Sequence, residues 1–102
     1  MPTCWRVGTL VVDPANRRVT AGSRVLELTP KEFDFLAFVA RYQGRVLTHQ
    51  AILRQVWGPE AIGRTEYLRT YANQLRNKLG GEPGAPRLVT EPGVGYRLLA
   101  EE

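Results

Sequence analysis

Six polar side chains between residues 66 and 77 recur at spacings that place them on one side of an α-helix. They are Glu66, Arg69, Thr70, Asn73, Gln74 and Asn77. An arginine can donate two parallel hydrogen bonds to O6 and N7 of guanine, and an asparagine or glutamine amide can pair with N6 and N7 of adenine. A helix face that is only solvated is more often rich in Glu–Lys pairs. The set therefore predicts contacts with base edges in a DNA major groove, with a plain solvated face as the alternative.

An apolar stripe on the same segment predicts the helix that would carry these side chains. The stripe consists of Leu68, Ala72, Leu75 and Leu79, with Tyr71 at its margin. This spacing of three and four residues indicates a helix from about Thr65 to Leu79 with the stripe turned to the core. The pair Gly80-Gly81 should end it, because glycine is favoured just after the last helical turn.

Short runs of β-branched and apolar residues, separated by turn formers, fill the first 28 residues. They predict strands at about residues 9–12, 17–20 and 25–28, with a further strand around residues 4–7. The segments between them are rich in Asp, Pro, Asn, Gly and Ser, which favour turns. This pattern is typical of an antiparallel meander.

Two further helices are predicted from their N-caps. Thr29-Pro30-Lys31-Glu32 combines a threonine cap, a proline in the first turn and a glutamate three residues after the cap. These features predict a capping box and a central core helix. Thr48 is the expected cap of a helix of about ten residues that stops at Gly58-Pro59. Strands at residues 87–90 and 96–100 then form a closing hairpin.

Composition limits the architecture and the class of partner. With 102 residues, of which 43% are hydrophobic, the chain is expected to form one domain over residues 1–102. Its 14 basic and 10 acidic residues give a net charge of +4, which favours a polyanionic partner. Since only Lys31 and Lys78 are lysines, the other twelve basic residues are arginines. Arginine suits forked contacts with phosphate and guanine, although GC-rich coding would give the same composition.

Catalytic and metal sites find little support in the sequence. Cys4 is the only cysteine, which excludes an intrachain disulfide or a thiolate zinc site and favours a reducing compartment. His49 is the only histidine and has no acidic or thiol partner at a useful spacing, so we expect no enzyme activity, no cofactor and no metal. No apolar run is long enough to cross a bilayer, and Met1-Pro2-Thr3 lacks signal-peptide features. We therefore expect a cytoplasmic protein without membrane contact.

Five short motifs, in this order along the chain, resemble the C-terminal effector domains of two-component response regulators of the OmpR and PhoB type. They are Leu28-Thr29-Pro30-Lys31-Glu32-Phe33, Gly44-Arg45-Val46-Leu47-Thr48, Val56-Trp57-Gly58-Pro59, Leu75-Arg76-Asn77-Lys78-Leu79 and Gly93-Val94-Gly95-Tyr96-Arg97. The resemblance implies an α+β winged helix-turn-helix: an N-terminal four-stranded antiparallel sheet, three helices and a C-terminal β-hairpin, the wing. It also implies sequence-specific binding of double-stranded promoter DNA, with the helix at residues 65–79 in the major groove.

The resemblance further implies macromolecular partners. Members of this family bind tandem half-sites as a head-to-tail pair, so a single copy is expected to bind weakly. In relatives the loop between the second and third helices contacts RNA polymerase, and the matching residues here are Gly58, Pro59, Glu60, Ala61, Ile62 and Gly63. The family's phosphate-accepting receiver domain does not occur in these 102 residues and is expected in a parent protein.

Side chains around the third helix and the wing are expected to contact DNA phosphates. The basic residues at the margins of the helix are suited to this by charge. The resemblance adds the indole N–H of Trp57, the hydroxyl of Tyr96 and the side chain of His49, although the first two could instead be packed and the third solvated. The full set is His49, Trp57, Arg64, Thr65, Tyr67, Tyr71, Arg76, Lys78, Thr90, Tyr96 and Arg97.

The wing turn departs from the family pattern. Many relatives carry an arginine there that enters the minor groove, whereas the matching residue in this chain is Pro92. Proline has no side-chain donor, so minor-groove contact by this turn is not expected. Arg87 or Arg97 could substitute from the strands, or each could be an ordinary solvated strand residue.

A winged helix that contacts proteins, such as RNA polymerase or a partner regulator, is the alternative function. In that case Trp57 and Tyr67 would be interface anchors rather than groove contacts. The two functions differ in their response to salt. A phosphate-binding domain loses affinity steeply as ionic strength rises, whereas an apolar protein interface does not.

Overall fold

The computed structural model describes residues 4–80 and 83–100 of the chain. Within them the elements follow the order of four strands, a helix, a short strand, two helices and two strands, with a 3₁₀ turn between the last two helices. No helix in these two ranges is both long enough and apolar enough to span a membrane. The predictions for Met1-Pro2-Thr3 and Gly81 lie outside the described residues.

The first four strands form an antiparallel sheet with the order β1-β2-β3-β4. Their bounds are Trp5–Val7 (β1), Leu10–Asp13 (β2), Arg18–Ala21 (β3) and Arg24–Val25 (β4). Leu10 and Val12 of β2 and Val19 and Ala21 of β3 are buried, because one face of the sheet lies on the core. The predicted meander and its extra strand are confirmed. β4 is shorter than the predicted strand at residues 25–28.

The first helix, α1 (Pro30–Arg41), begins with the predicted capping box. The backbone N–H of Glu32 donates to Thr29 Oγ1 at 3.3 Å, and the backbone N–H of Thr29 donates to Glu32 Oε1 at 2.9 Å. Phe33 and Phe35 lie on different sides of α1 and are both buried. The expectation of a core helix covered on more than one side is therefore confirmed.

A short strand, two helices and a 3₁₀ turn follow. Their bounds are Leu47–Thr48 (β5), His49–Val56 (α2), Pro59–Ala61 (the 3₁₀ turn) and Thr65–Leu79 (α3). Thr48 caps α2 as predicted, because its Oγ1 accepts a hydrogen bond from the backbone N–H of Ala51 at 3.1 Å. α2 has eight residues, slightly fewer than predicted, and α3 has the predicted bounds.

The wing consists of β6 (Arg87–Glu91), β7 (Gly95–Leu99) and the turn between them. β7 pairs with β6 on one side and with β5 on the other, so the closing hairpin is part of a three-stranded sheet. β5 contributes two pairs, Leu47 with Tyr96 and Thr48 with Gly95. A Cβ atom at Gly95 would lie 1.8 Å from the carbonyl oxygen of Leu47, so only glycine fits at this crossing.

The segment at residues 83–86, between α3 and β6, docks on the turn between β1 and β2. The backbone N–H of Thr9 donates to the carbonyl oxygen of Gly84 at 2.9 Å. Gly8 has a φ of +60°, and a Cβ atom there would lie 2.2 Å from the same oxygen. This contact joins the N-terminal sheet to the segment that connects α3 with the wing.

Candidate nucleic-acid interface

α3 has a buried side and an exposed side. Leu68, Ala72, Leu75 and Leu79 form the buried side, and none of them is more than 2% exposed. The six predicted base-contacting residues are all exposed along the rest of the helix: Glu66, Arg69, Thr70, Asn73, Gln74 and Asn77. The structure thus brings the whole predicted set together on one solvent-facing surface.

A shallow groove of about 410 Å³ lies between the N-terminal ends of α2 and α3 and the wing turn. The backbone N–H of His49 donates to the carbonyl oxygen of Val94 at 3.0 Å and fixes the wing turn beside α2. The groove is lined by Thr48, His49, Gln50, Leu53, Gly63, Thr65, Gly93 and Val94. Helix N-termini carry partial positive charge, so the groove is electrostatically suited to an anion.

Some groove residues were not predicted from the sequence. Gln50, Gly93 and Val94 line the same surface as the predicted residues His49 and Thr65. Gln50 could have been found, because it stands in the first turn after the Thr48 cap. Gly93 and Val94 could not, since their position depends on how the wing turn folds back on α2.

Arg76 connects α3 to the wing. Its Nε donates to the carbonyl oxygen of Leu88 at 2.9 Å, and its Nη2 donates to Thr90 Oγ1 at 2.5 Å. Its Nη1 donates to Asn73 Oδ1 at 3.2 Å. The guanidinium carbon lies 5.9 Å from the centre of the Tyr96 ring. The predicted phosphate contact of Arg76 therefore has to share the guanidinium with three protein acceptors.

Tyr96 has a packing role in the structure. The residue is 5% exposed, and its ring makes edge contacts with Phe35 and His49, at centroid distances of 5.8 and 5.7 Å. These rings join β7 to α1 and to the start of α2. Contact of the Tyr96 hydroxyl or of His49 with a phosphate stays a prediction.

Lys78 forms an ion pair between α3 and α1. Its Nζ lies 2.5 Å from Glu32 Oε1, and the Glu32 side chain is 2% exposed. Burial raises the pKa of Glu32, but hydrogen bonds from Lys78 and from the backbone of Thr29 outweigh it and hold the pKa below its ordinary value. Lys78 thus neutralises a buried carboxylate between α3 and α1, and its contact with a DNA phosphate stays a prediction.

The wing carries charged and exposed residues of its own. Arg97 Nε lies 2.8 Å from Glu91 Oε2, which makes an ion pair, although the N–H is not aligned with the oxygen as in a hydrogen bond. Thr90, Arg87 and the turn residue Pro92 are exposed. Arg87 is therefore open to solvent, whereas Arg97 is paired with Glu91.

An aromatic cluster of Trp57, Tyr67 and Tyr71 covers the junction of α2 and α3. The Trp57 ring centre lies 5.1 Å from that of Tyr71 and 5.7 Å from that of Tyr67. The Arg64 guanidinium lies 5.9 Å from the Tyr67 ring centre. Tyr67 is 37% exposed, so the cluster is accessible from solvent and borders the 58–63 loop.

The 58–63 loop is more ordered than an unstructured connection. Pro59–Ala61 forms the 3₁₀ turn, and Ala61 is buried against the core. Ile62 is 39% exposed beside it. The loop therefore has one anchored side and one side that is open to a partner. Among the described residues, no three His, Cys, Asp or Glu side chains are grouped so that they could hold a metal ion.

Comparison with known proteins agrees with this arrangement of helices and wing. A family model described as "Transcriptional regulatory protein, C terminal" matches residues 22–98. The chain belongs to this family. The family resemblance found in the sequence motifs is thereby confirmed, and so is the winged helix-turn-helix fold, through solved structures of response regulator DNA-binding domains.

Members of the family include close relatives of this chain. The KDP operon transcriptional regulatory protein KdpE of Escherichia coli K12 is 44% identical over 91 residues, which are 88% of this chain and 40% of that protein. The chain thus spans about two fifths of the length of this relative. The Tyr67-Leu68-Arg69-Thr70-Tyr71 run and Trp57-Gly58-Pro59 also resemble the Kdp regulator in particular.

Two solved structures in the family have the same fold. The DNA-binding domain of CpxR from E. coli superposes with a TM-score of 0.86 at 26% identity, covering 95% of this chain and 96% of that one. The Klebsiella pneumoniae RstA DNA-binding domain, solved in complex with the RstA box, gives a TM-score of 0.82 at 26% identity. The match covers 95% of this chain and 97% of the RstA chain.

Proposed function

We propose that this chain binds double-stranded promoter DNA in a sequence-specific manner, as the output domain of a two-component response regulator. The observation that carries the proposal is the exposed side of α3, where Arg69, Thr70, Asn73 and Gln74 stand opposite a fully buried apolar stripe. A helix with this division can rest in the major groove while its other side stays in the core. The RstA domain, solved with its DNA box, supports the same use of the fold.

Phosphate contacts are proposed for the residues around the groove between α2, α3 and the wing turn. Thr65 and His49 line it, and Arg64 stands beside it with an exposed guanidinium. α3 begins without a side-chain N-cap hydrogen bond, which suits a phosphate oxygen as the acceptor for its first N–H groups. The remaining candidates are Trp57, Tyr67, Tyr71, Arg76, Lys78, Thr90, Tyr96 and Arg97.

Further partners are proposed from the family. The loop from Gly58 to Gly63, with Ile62 exposed on it, would contact RNA polymerase, and a receiver domain would precede this domain in a parent protein. Two copies would bind tandem half-sites head to tail. Promoter binding requires access to the cytoplasm, which is therefore the compartment that we propose. We propose no catalytic role for any residue.

The test begins with selection of bound duplexes from a random pool at one fixed salt concentration, which yields the half-site and its spacing. Arg69→Ala should then weaken binding to a tandem site by about 1–3 kcal/mol and flatten its preference over random DNA. Arg18→Ala, which removes the same charge from an exposed position on β3, is the matched control and should retain the preference. Equal binding of specific and random duplexes by the parent and by Arg69→Ala would overturn the proposal.

Salt titration separates DNA binding from the alternative use of the fold as a protein-binding module. The aromatic cluster of Trp57, Tyr67 and Tyr71 is the observation that favours this alternative. Phosphate neutralisation gives a linear fall of log affinity with log salt, with a slope of roughly −0.9 per phosphate contacted. The protein-binding module would be favoured by two results together. The affinity of the parent protein would show no such salt dependence, and its binding to a partner would depend on Trp57 rather than on Arg69.

A further inference from the structure

The guanidinium of Arg76 lies between the exposed side of α3 and the outer strand of the wing. Three of its N–H groups are engaged, with the carbonyl oxygen of Leu88, Asn73 Oδ1 and Thr90 Oγ1. A guanidinium has five N–H donors and no acceptor, so two donors remain for solvent or phosphate. Asn73 and Thr90 are exposed, whereas Arg76 is half-buried. Arg76 is thus held from three directions beneath two accessible polar side chains.

This contact determines which way the Asn73 amide faces. Because a guanidinium can only donate, the amide atom at 3.2 Å from Nη1 must be the oxygen. The orientation of the amide therefore follows from the donor-only chemistry of the guanidinium. The Asn73 NH₂ group is consequently turned away from Arg76. The same reasoning applies to Thr90, whose oxygen accepts from Nη2, so that its own proton points elsewhere.

We propose that Arg76 is a positioning residue that makes Asn73 present a hydrogen-bond donor, rather than an acceptor, to the DNA. This inference rests on the proposed function, in which α3 lies in the major groove. A donor matches N7 or O6 of guanine, N7 of adenine and O4 of thymine, but it opposes the N4 amino group of cytosine. The base pair facing Asn73 should therefore be selected chiefly against cytosine on the contacted strand.

Without Arg76, the Asn73 amide can turn over and offer its oxygen to an amino group. Specificity at this one position should then weaken, while the position read by Arg69 stays as it was. A residue with only a structural role would change affinity for all sequences equally. The readout that separates the two is therefore the base preference at a single position and not the overall affinity.

The first experiment uses Arg76→Met with the selected tandem site. Arg76→Lys is the conservative variant: it keeps a group that can only donate and should retain the parent's rejection of cytosine. Asn73→Ala locates the base pair that depends on Asn73, and the Kd is measured for all four bases there at one salt concentration. The parent should reject cytosine by roughly tenfold. Arg76→Met should reduce that discrimination to about twofold, because it removes the single hydrogen bond that orients the Asn73 amide. In an Asn73→Ala background, Arg76→Met should change the preference no further.

The second experiment uses Asn73→Asp, which keeps an oxygen facing Arg76 and replaces the presented NH₂ with an acceptor. Its preference at that base pair should reverse in favour of cytosine or adenine, whose amino groups donate. Asn77→Asp adds the same charge one turn further along the exposed side and is the matched control. It should change the preference only at the base pair that Asn77 itself faces, and leave the preference at the Asn73 position unchanged.

The outcomes distinguish failure of this inference from failure of the proposed function. If Arg76→Met keeps the parent's rejection of cytosine, or if Asn73→Asp weakens binding without changing the preference at its base pair, the positioning role is overturned. Loss of sequence preference in Arg69→Ala would in that case still support DNA binding by α3. If the parent itself shows no sequence preference, the proposed function fails, and the inference fails with it. Should Arg76→Met not fold, Asn73→Asp decides the question.

Discussion

Replacing Lys78 with methionine would leave a carboxylate buried without its ion-pair partner. Glu32 is 2% exposed, and its Oε1 accepts from Lys78 at 2.5 Å and from the backbone N–H of Thr29 at 2.9 Å. Methionine keeps most of the length of the lysine stem, so the packing between α3 and α1 should change little. The perturbation therefore isolates the ammonium group.

The expected loss of stability follows from the burial of the pair. Removing one partner of a fully buried ion pair costs about 3–5 kcal/mol. The Lys78 side chain is 37% exposed, so water can partly replace it, and we reduce the expectation to about 1–3 kcal/mol. Each kcal/mol corresponds to a fall in Tm of about 4–8 °C in a domain of this size. Urea and thermal unfolding followed by circular dichroism measure both quantities.

The pH dependence of stability gives an independent readout. The folded state holds the pKa of Glu32 below its ordinary value of 4.5, so the stabilisation is fully present above that value. It is lost as the pH falls from there through the lower pKa of the folded protein. In Lys78→Met the burial of Glu32 remains but the ammonium is gone, which raises the pKa of Glu32 and flattens this loss of stability on acidification.

Glu32→Gln is the control, because it removes the charge but keeps an oxygen that can accept from Thr29. Combined with Lys78→Met, it should cost less than the sum of the two single changes. A free energy of unfolding for Lys78→Met within about 0.5 kcal/mol of the parent's would show that the ammonium does not stabilise the buried carboxylate. An unchanged dependence of stability on pH would refute the assigned role of Glu32 as well.

Three further predictions concern stability and are checked by the same unfolding measurements. Gly95→Ala should destabilise by at least about 1–3 kcal/mol, because the added Cβ meets the carbonyl oxygen of Leu47; a neutral result would contradict the tight crossing. Thr29→Ala should cost about 1 kcal/mol through loss of the cap, with Thr29→Ser as the control that retains it. Asp34→Ala should cost less than about 1 kcal/mol, since its ion pair with Arg17 is solvated; a larger loss would show that the pair is not the surface contact described.

Local signals in the sequence predicted much of the fold. The capping box at Thr29 and Glu32 depends on residues three apart, and the apolar stripe of α3 depends on helical periodicity alone. For the same reason the exposed side of α3 could be predicted as a set. Its contact with base edges stays a prediction, which Arg69→Ala tests.

The partners of long basic side chains could not be predicted in the same way. Lys78 stands next to the buried Leu79, and helical periodicity does not show to which side its flexible stem turns. Its partner Glu32 lies 46 residues earlier, on another helix. Arg76 likewise has its acceptors Leu88 and Thr90 on a strand that the sequence places beyond a separate loop. These contacts depend on tertiary packing, which local patterns do not encode.

The shortest strand and its crossing with β7 could not be predicted from the sequence either. β5 pairs through two residues, and a run of two has no periodicity that could reveal it. The need for glycine at position 95 arises only when β5 and β7 cross, so it could not be derived from the hairpin alone.

The contact between Thr9 and Gly84 has a consequence for how the domain folds. Because it joins residues from nearly opposite ends of the chain, it can form only after a long stretch of intervening sequence has been closed into a loop. Such non-local contacts slow folding and make it cooperative. We therefore expect β1 and β2 to dock late in folding, as part of one cooperative unit with the helices. Deleting these two strands should unfold α3 together with the rest of the domain.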